Sequence, residues 1–144
     1  MIGRLQSGLA ITLLTASRLA ADGDGGLEDP SLLYAYFVCS IYAEMAGQDA
    51  NASFYLERGQ AAGHRFFREH GTSEPPDREK NDIPVAVLWN MQGQSIDFTL
   101  KKISATAKNH VTEDFGTYPT DDAGEMLAYL ELVDRNCDLL RGHE

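Results

Sequence analysis

The stretch from Asp29 to Gly47 constrains the fold more than any other part of the chain. Asp29 can cap a helix that begins with Pro30, and Gly47 can end it, since proline suits the first helical turn and glycine the position after the last. Between these ends almost no polar face is left. A soluble helix of this kind belongs in the middle of a bundle. Its apolar and aromatic residues are Leu32, Leu33, Tyr34, Tyr36, Phe37, Val38, Ile41, Tyr42 and Met45.

The chain has two cysteines, and they are far apart in the sequence. Cys39 lies at the centre of this first predicted helix, and Cys137 lies at an apolar position near the C-terminus. In an oxidising compartment such a pair would form one disulfide, whereas in the cytosol the two would be small buried side chains. No Cys-x-x-Cys motif is present, which argues against both redox catalysis and structural zinc. We predict a disulfide between the first and last helices.

The N-terminal residues have the features of a secretory signal peptide. Arg4 supplies a positive charge, residues 8–14 form a short apolar segment, and small residues suitable for cleavage follow. The segment is shorter than the roughly 20 apolar residues that a membrane anchor needs. We predict a signal peptide at 1–21, a flexible acidic N-terminus at 22–30 and a helical domain at 31–144, exported to a bacterial periplasm. The alternative is a cytoplasmic protein that begins with an amphipathic helix.

A second helix is expected to follow the turn at residues 48–51 and to continue to about His70. One of its faces carries the small residues Gly59, Ala62 and Gly63. Because glycine within a helix costs about 1 kcal/mol relative to alanine, the two glycines should have a packing reason, such as the close approach of a neighbour. Two prolines and dense charge then predict a loop at residues 71–81.

Two further helices complete the predicted domain. The third is capped by Asp82 and keeps a helical period to about Asp114, with Gly93 as a point where it can bend or split. The fourth opens at two aspartates, which suit the positive end of a helix dipole. Four helices without a strand pattern predict an all-α, single-domain antiparallel four-helix bundle. The fourth helix carries an apolar stripe that offers Cys137 to the first helix: Met126, Leu130, Val133, Cys137 and Leu140.

The net charge of -10 limits the classes of partner. Nucleic acids and anionic membrane surfaces would repel such a protein, so we expect neither, and no membrane anchor after signal cleavage. A basic protein is the favoured partner. Candidate contact residues are the tyrosines of the first helix and two groups of acids: Tyr34, Tyr36, Tyr42, Glu74, Asp77, Glu79, Asp121, Asp122 and Glu125.

Motifs for chemistry are scarce in this sequence. There is no nucleotide-binding loop, nucleophile elbow or zinc-protease helix, so we predict no catalytic residues and no cofactor. His110, Glu113 and Asp114 share one helical turn and form a weak metal candidate, although a solvated helix end is the simpler interpretation.

The leading functional hypothesis is a small exported protein that binds another protein, as an inhibitor or immunity-type module. In general architecture it is similar to small periplasmic immunity proteins against cell-wall amidases, although it shares no residue motif with them. An alternative is a carrier or sensor that holds a small apolar ligand between its helices, using Trp89, Met91 and the aromatic residues of the first helix. An enzyme is the third hypothesis.

Overall fold

The computed structural model describes residues 25–142, and the regular secondary structure in this range is entirely helical, as predicted. The predicted signal peptide lies outside the described residues. None of the described helices is long and apolar enough to cross a membrane. The helices are α1 (Gly25–Met45), α2 (Asp49–His70), α3 (Asp77–Lys80), α4 (Val85–Leu88), α5 (Ile96–Phe115) and α6 (Asp122–Asp134), followed by a 3-10 helix at Cys137–Gly142.

The first helix begins earlier than its sequence predicts. α1 starts at Gly25, so Pro30 lies inside the helix and Asp29 is not its cap. The helix thus extends into the segment 22–30, for which the sequence predicts a flexible acidic N-terminus. A proline at this position removes one backbone donor but still suits the helical φ angle. Its ring is buried, which favours keeping it within the helix.

α1 is the helix around which the others are arranged. It contacts α2, α5 and α6, the three other long helices, and also α4 and the 3-10 helix. Because it has neighbours on several sides, its apolar residues are buried nearly all round, as the sequence predicts. The buried hydrophobic residues of α1 are Leu33, Tyr36, Phe37, Val38, Cys39, Ile41, Tyr42, Ala43 and Met45.

The glycines of α2 have the packing reason that their position in a helix requires. A Cβ atom on Gly59 would lie 2.9 Å from two ring carbons of Phe37 in α1. A Cβ atom on Gly63 would overlap the side chain of Leu100 in α5. Since real Cβ atoms do not approach neighbours so closely, both sites favour glycine. The two glycines therefore let α1 and α5 pack closely against α2.

The predicted third helix is divided in the structure. The short helix α4 ends at Leu88, and α5 begins at Ile96, where the Ser95 side chain accepts a hydrogen bond from the Phe98 N–H at 3.3 Å. Gly93 adopts a φ of 74°, which ends helical geometry, and its N–H donates to the carbonyl of Thr72 at 2.9 Å. A contact with the loop after α2 therefore fixes the break.

The predicted fourth helix also ends early. α6 stops at Asp134, and Asn136 has a φ of 55°, in the left-handed region that interrupts an α-helix. The chain then continues as the 3-10 helix, which carries Cys137. Cys137 forms the predicted disulfide with Cys39, with a Cα–Cα distance of 5.8 Å. The disulfide thus joins the early helix α1 to the segment that follows α6.

Candidate functional site

The outer side of α6 is an exposed apolar surface. Two residues of this helix, Ala128 and Leu132, are buried, while five large hydrophobic residues are exposed. Adjacent exposed apolar residues are a common mark of an interaction site, whereas single ones are ordinary. We call the five the α6 apolar face: Met126 (58% exposed), Leu127 (57%), Tyr129 (43%), Leu130 (53%) and Val133 (49%).

This arrangement corrects the orientation predicted for the fourth helix. Met126, Leu130 and Val133 were expected to be on the face directed at the first helix, but they point to solvent. The sequence of α6 has apolar residues on two sides, so helical periodicity alone does not select the buried one. Ala128 lies on the buried side with a relative exposure of 0%, and its small side chain allows α6 to lie close to the core.

Contacts from α1 and α2 hold the C-terminal end of this region. Beside the disulfide, the Tyr55 hydroxyl donates to the carbonyl of Cys137 at 3.1 Å. The Tyr36 hydroxyl donates to the carbonyl of Leu140 at 3.0 Å. These bonds satisfy backbone carbonyls in a segment that lacks α-helical hydrogen bonding, and they fix the 3-10 helix against the core. The α6 apolar face is therefore followed by a segment that is fixed to the core, and this segment supports it.

The tyrosines of α1 do not form the exposed strip that the sequence suggests. Tyr36 and Tyr42 are buried, with relative exposures of 5% and 1%. Tyr42 lies beneath Arg135, whose guanidinium carbon is 4.9 Å from the ring centroid and whose Nη2 donates to the hydroxyl at 3.3 Å. The half-buried Tyr34 has its hydroxyl 2.8 Å from Nδ1 of His110. Partners within the protein satisfy the hydroxyls of Tyr36 and Tyr42, and a role of these residues in partner binding stays a prediction.

Burial also affects the acidity of these phenols. Desolvation raises the pKa of Tyr34 and of Tyr42 above the ordinary tyrosine value, and the positive charge of Arg135 partly opposes the effect in both. Both side chains therefore stay neutral at physiological pH and act as hydrogen-bonding core residues. They provide no activated phenolate for chemistry.

The acids of the predicted loop surround a lysine. Lys80 Nζ lies 2.6 Å from Glu74 Oε1 and 2.7 Å from Asp77 Oδ1, and hydrogen bonds to these carboxylates raise the pKa of Lys80 to about 12. Glu79 Oε1 lies 3.5 Å from Nε of Arg78. Exposed pairs of this kind contribute little to stability. The local pairing reduces the negative charge that Glu74, Asp77 and Glu79 present, and their role in binding stays a prediction.

The acids near α6 are arranged differently. The Asp121 side chain caps the helix by accepting a hydrogen bond from the Gly124 N–H at 2.8 Å. Asp122 and Glu125 are exposed on the first turns of α6. Asp121 therefore stabilises the start of α6, which agrees with the prediction that the fourth helix opens at two aspartates. Asp122 lies at the N-terminal end of the α6 apolar face, whereas the Glu125 carboxylate lies close to Gly47 at the end of α1.

The structure does not assemble the weak metal candidate. His110 is directed toward Tyr34 of α1, while Glu113 and Asp114 are exposed. In the described part of the chain no three side chains from histidine, cysteine, aspartate or glutamate come together as a metal site. The hydrogen bond across the α1–α5 contact accounts for the position of His110.

The residues expected to hold an apolar ligand are separated. Met91 is buried in the core, whereas Trp89 is 67% exposed. A surface groove of about 440 Å³ lies between α1 and the C-terminal segment. Neither Trp89 nor Met91 lines this groove.

Comparisons with known proteins do not add to these observations. No protein-family model, curated protein or solved structure matches this chain.

Proposed function

We propose that the protein is a small exported module that binds another protein through the α6 apolar face, as an inhibitor or immunity-type partner would. Its scaffold in this proposal is an antiparallel four-helix bundle made of α1, α2, α5 and α6. The observation that carries the proposal is the solvent exposure of five large apolar side chains on one short helix. Burial of such residues by a partner is favourable, at about 25 cal/mol per Å² of apolar surface.

Two further features support this role. The support of the apolar face is cross-linked and hydrogen-bonded, and a surface that is already ordered loses less conformational entropy when it binds. The disulfide also favours an oxidising compartment, which is consistent with the predicted signal peptide. The net charge of -10 favours a basic partner.

The proposal can be tested by comparing protein capture from the exported fraction of the source cells. The bait is the disulfide-bonded protein, either unchanged or as the double variant Leu130→Ser/Val133→Ser, and bound proteins are identified by mass spectrometry. The matched control is Leu56→Ser/Phe98→Ser, which removes two exposed apolar residues from α2 and α5. We expect a partner that the unchanged protein and the control retain and that the α6 variant loses.

The same experiment can also contradict the proposal. If all three baits retain the same proteins, the α6 apolar face is not the binding surface. Circular dichroism spectra of both variants should match the unchanged protein, because the substituted residues lie outside the buried core. Export is tested by the intact mass of the secreted chain, which should begin at Asp22. A secreted or cellular chain that keeps residues 1–21 would contradict it.

A further inference from the structure

The shape of the α6 apolar face matches the contact surface of a helix pair. At about 100° per residue, four of its five residues, Tyr129, Val133, Met126 and Leu130, form a stripe within an arc of about 100°, and Leu127 lies about 60° beyond Leu130. Ala128 and Leu132 lie on the other side of the helix. From Met126 to Val133 the stripe runs for two turns, or about 10 Å. Apolar residues at steps of three and four form the seam when two helices pack together.

The charges around this stripe are negative. α6 contains four acidic residues and no basic one. On the helical wheel Asp134 borders the stripe beside Leu130, and Asp122 lies at its N-terminal end, whereas the Glu125 carboxylate lies close to Gly47 at the end of α1. All three side chains are exposed. The stripe is therefore an apolar seam with an acidic margin.

Arg135, the first basic residue after α6, does not neutralise the acidic residues that border the stripe. Arg135 Nε lies 3.3 Å from Oε2 of Glu131, and the same guanidinium covers the ring of Tyr42. The guanidinium of Arg135 therefore lies on the inner side of α6. A second copy of the protein, with a net charge of -10, would bring its own acidic margin against this one. Such like-charge contact opposes self-association, whereas a cationic partner would relieve it.

We infer that the α6 apolar face receives an amphipathic helix of another protein whose apolar stripe is flanked by lysine or arginine residues. This inference rests on the proposed protein-binding function and specifies the partner's chemistry. Leucine-like side chains of the partner pack between Met126, Leu130 and Val133. Its flanking cations reach Asp122 and Asp134. Charge complementarity of this kind increases the association rate and excludes acidic competitors.

A defined pair of probe peptides tests the inference. One is an 18-residue helical peptide of leucine and lysine with leucine at steps of three and four, and the other has glutamate in place of every lysine. Fluorescence anisotropy measures the binding of each labelled peptide to the disulfide-bonded protein at low and high salt. We expect the lysine peptide to bind, and the glutamate peptide to bind at least tenfold more weakly.

Variants show whether binding takes place on α6. Leu130→Ser/Val133→Ser should weaken binding of the lysine peptide at least tenfold, and Leu56→Ser/Phe98→Ser should change it less than twofold. Asp122→Asn/Asp134→Asn should weaken it several-fold and reduce its salt dependence. The charge-matched control is Glu57→Gln/Glu69→Gln on α2, which removes two remote exposed acids. This control should have a smaller effect on both quantities.

Three results would overturn the inference. One is equal binding of the two peptides, and another is equal weakening by the α6 substitutions and their controls, which would show non-specific attraction. The third is a dimer in sedimentation that Leu130→Ser/Val133→Ser abolishes, since the occupant would then be a second copy. If these results occur while the α6 variant still loses a captured partner, protein binding stands and the cationic helix alone is excluded.

Discussion

Reduction of the disulfide between Cys39 and Cys137 should strongly destabilise the fold. The two cysteines are 98 residues apart, so the bond closes most of the described chain into one loop. In the chain-entropy model, opening a loop of this length costs about 4.7 kcal/mol at 25 °C. Small domains have a total stability of about 5–15 kcal/mol, so this is a large part of it.

The structure indicates which part of the fold loses stability first when the disulfide is reduced. α6 contributes just two buried hydrophobic residues, Ala128 and Leu132, to the core. Burial of a leucine contributes about 2 kcal/mol, and the hydrogen bonds from Tyr36 and Tyr55 to the following segment contribute about 1 kcal/mol each. The contribution of the disulfide to stability is thus about as large as the sum of these contributions. We expect α6 and the 3-10 helix to open before α2 when the bond is reduced.

The assay is denaturant unfolding of the same protein with and without a phosphine reductant, which leaves both sulfur atoms in place. We expect a loss of about 4–5 kcal/mol in the free energy of unfolding. At about 3 °C per kcal/mol, this corresponds to a fall in Tm of about 15 °C. The denaturant slope should also increase, because the reduced unfolded chain is more expanded.

Two observations would refute this reasoning. A loss below about 1 kcal/mol would show that the closed loop hardly restricts the unfolded chain. Hydrogen exchange that accelerates equally in α2 and α6 on reduction would show that the bond does not act locally on α6. The variant Cys39→Ala/Cys137→Ala should agree with the reduced protein, apart from the small cavity it creates.

Three further predictions concern the scaffold. Gly63→Ala should lower the free energy of unfolding by about 1–2 kcal/mol in urea melts, because overlap of the new Cβ atom with Leu100 outweighs the gain in helix propensity. An unchanged unfolding midpoint would contradict the close packing. Asp121→Ala should cost about 1 kcal/mol of stability in the same assay through loss of the α6 cap, whereas Asp121→Asn should keep it, and equal losses would exclude capping. The hydrogen bond from Lys80 lowers the pKa of Asp77, so its stabilising effect is present above the unfolded pKa and is lost as pH falls through the folded one. Carboxyl NMR titration should show this pKa rising toward its ordinary value in Lys80→Met, and no rise would refute the pairing.

The sequence is a good guide wherever one interpretation satisfies all of the local chemistry. α1 is apolar nearly all round, and burial against several helices is the arrangement that removes such a surface from water. The pairing of Cys39 with Cys137 follows because the chain contains no other cysteine. Gly59 and Gly63 were expected to have a packing reason, and the structure supplies Phe37 and Leu100 as the neighbours.

The candidate site could not be predicted in the same way. α6 has apolar residues on two sides, and the sequence stripe containing Met126, Leu130 and Val133 is the more conspicuous of the two. A similar ambiguity affects Trp89, whose size and apolar neighbours suggest burial although the side chain is exposed. Periodicity describes which residues share a face, but it contains no information on which face meets the rest of the protein.

The sequence by itself determined the helical class, the interior position of α1 and the one possible disulfide, because these depend on local periodicity and on residue identity. Tertiary structure alone decided the rest. Asn136 takes a left-handed conformation, and the chain there turns into the 3-10 helix. Cys137 then meets α1 at a position that places Ala128 and Leu132 of α6 inward. The larger apolar residues of α6 are left outward, because contacts between distant segments set the rotation of a helix about its own axis.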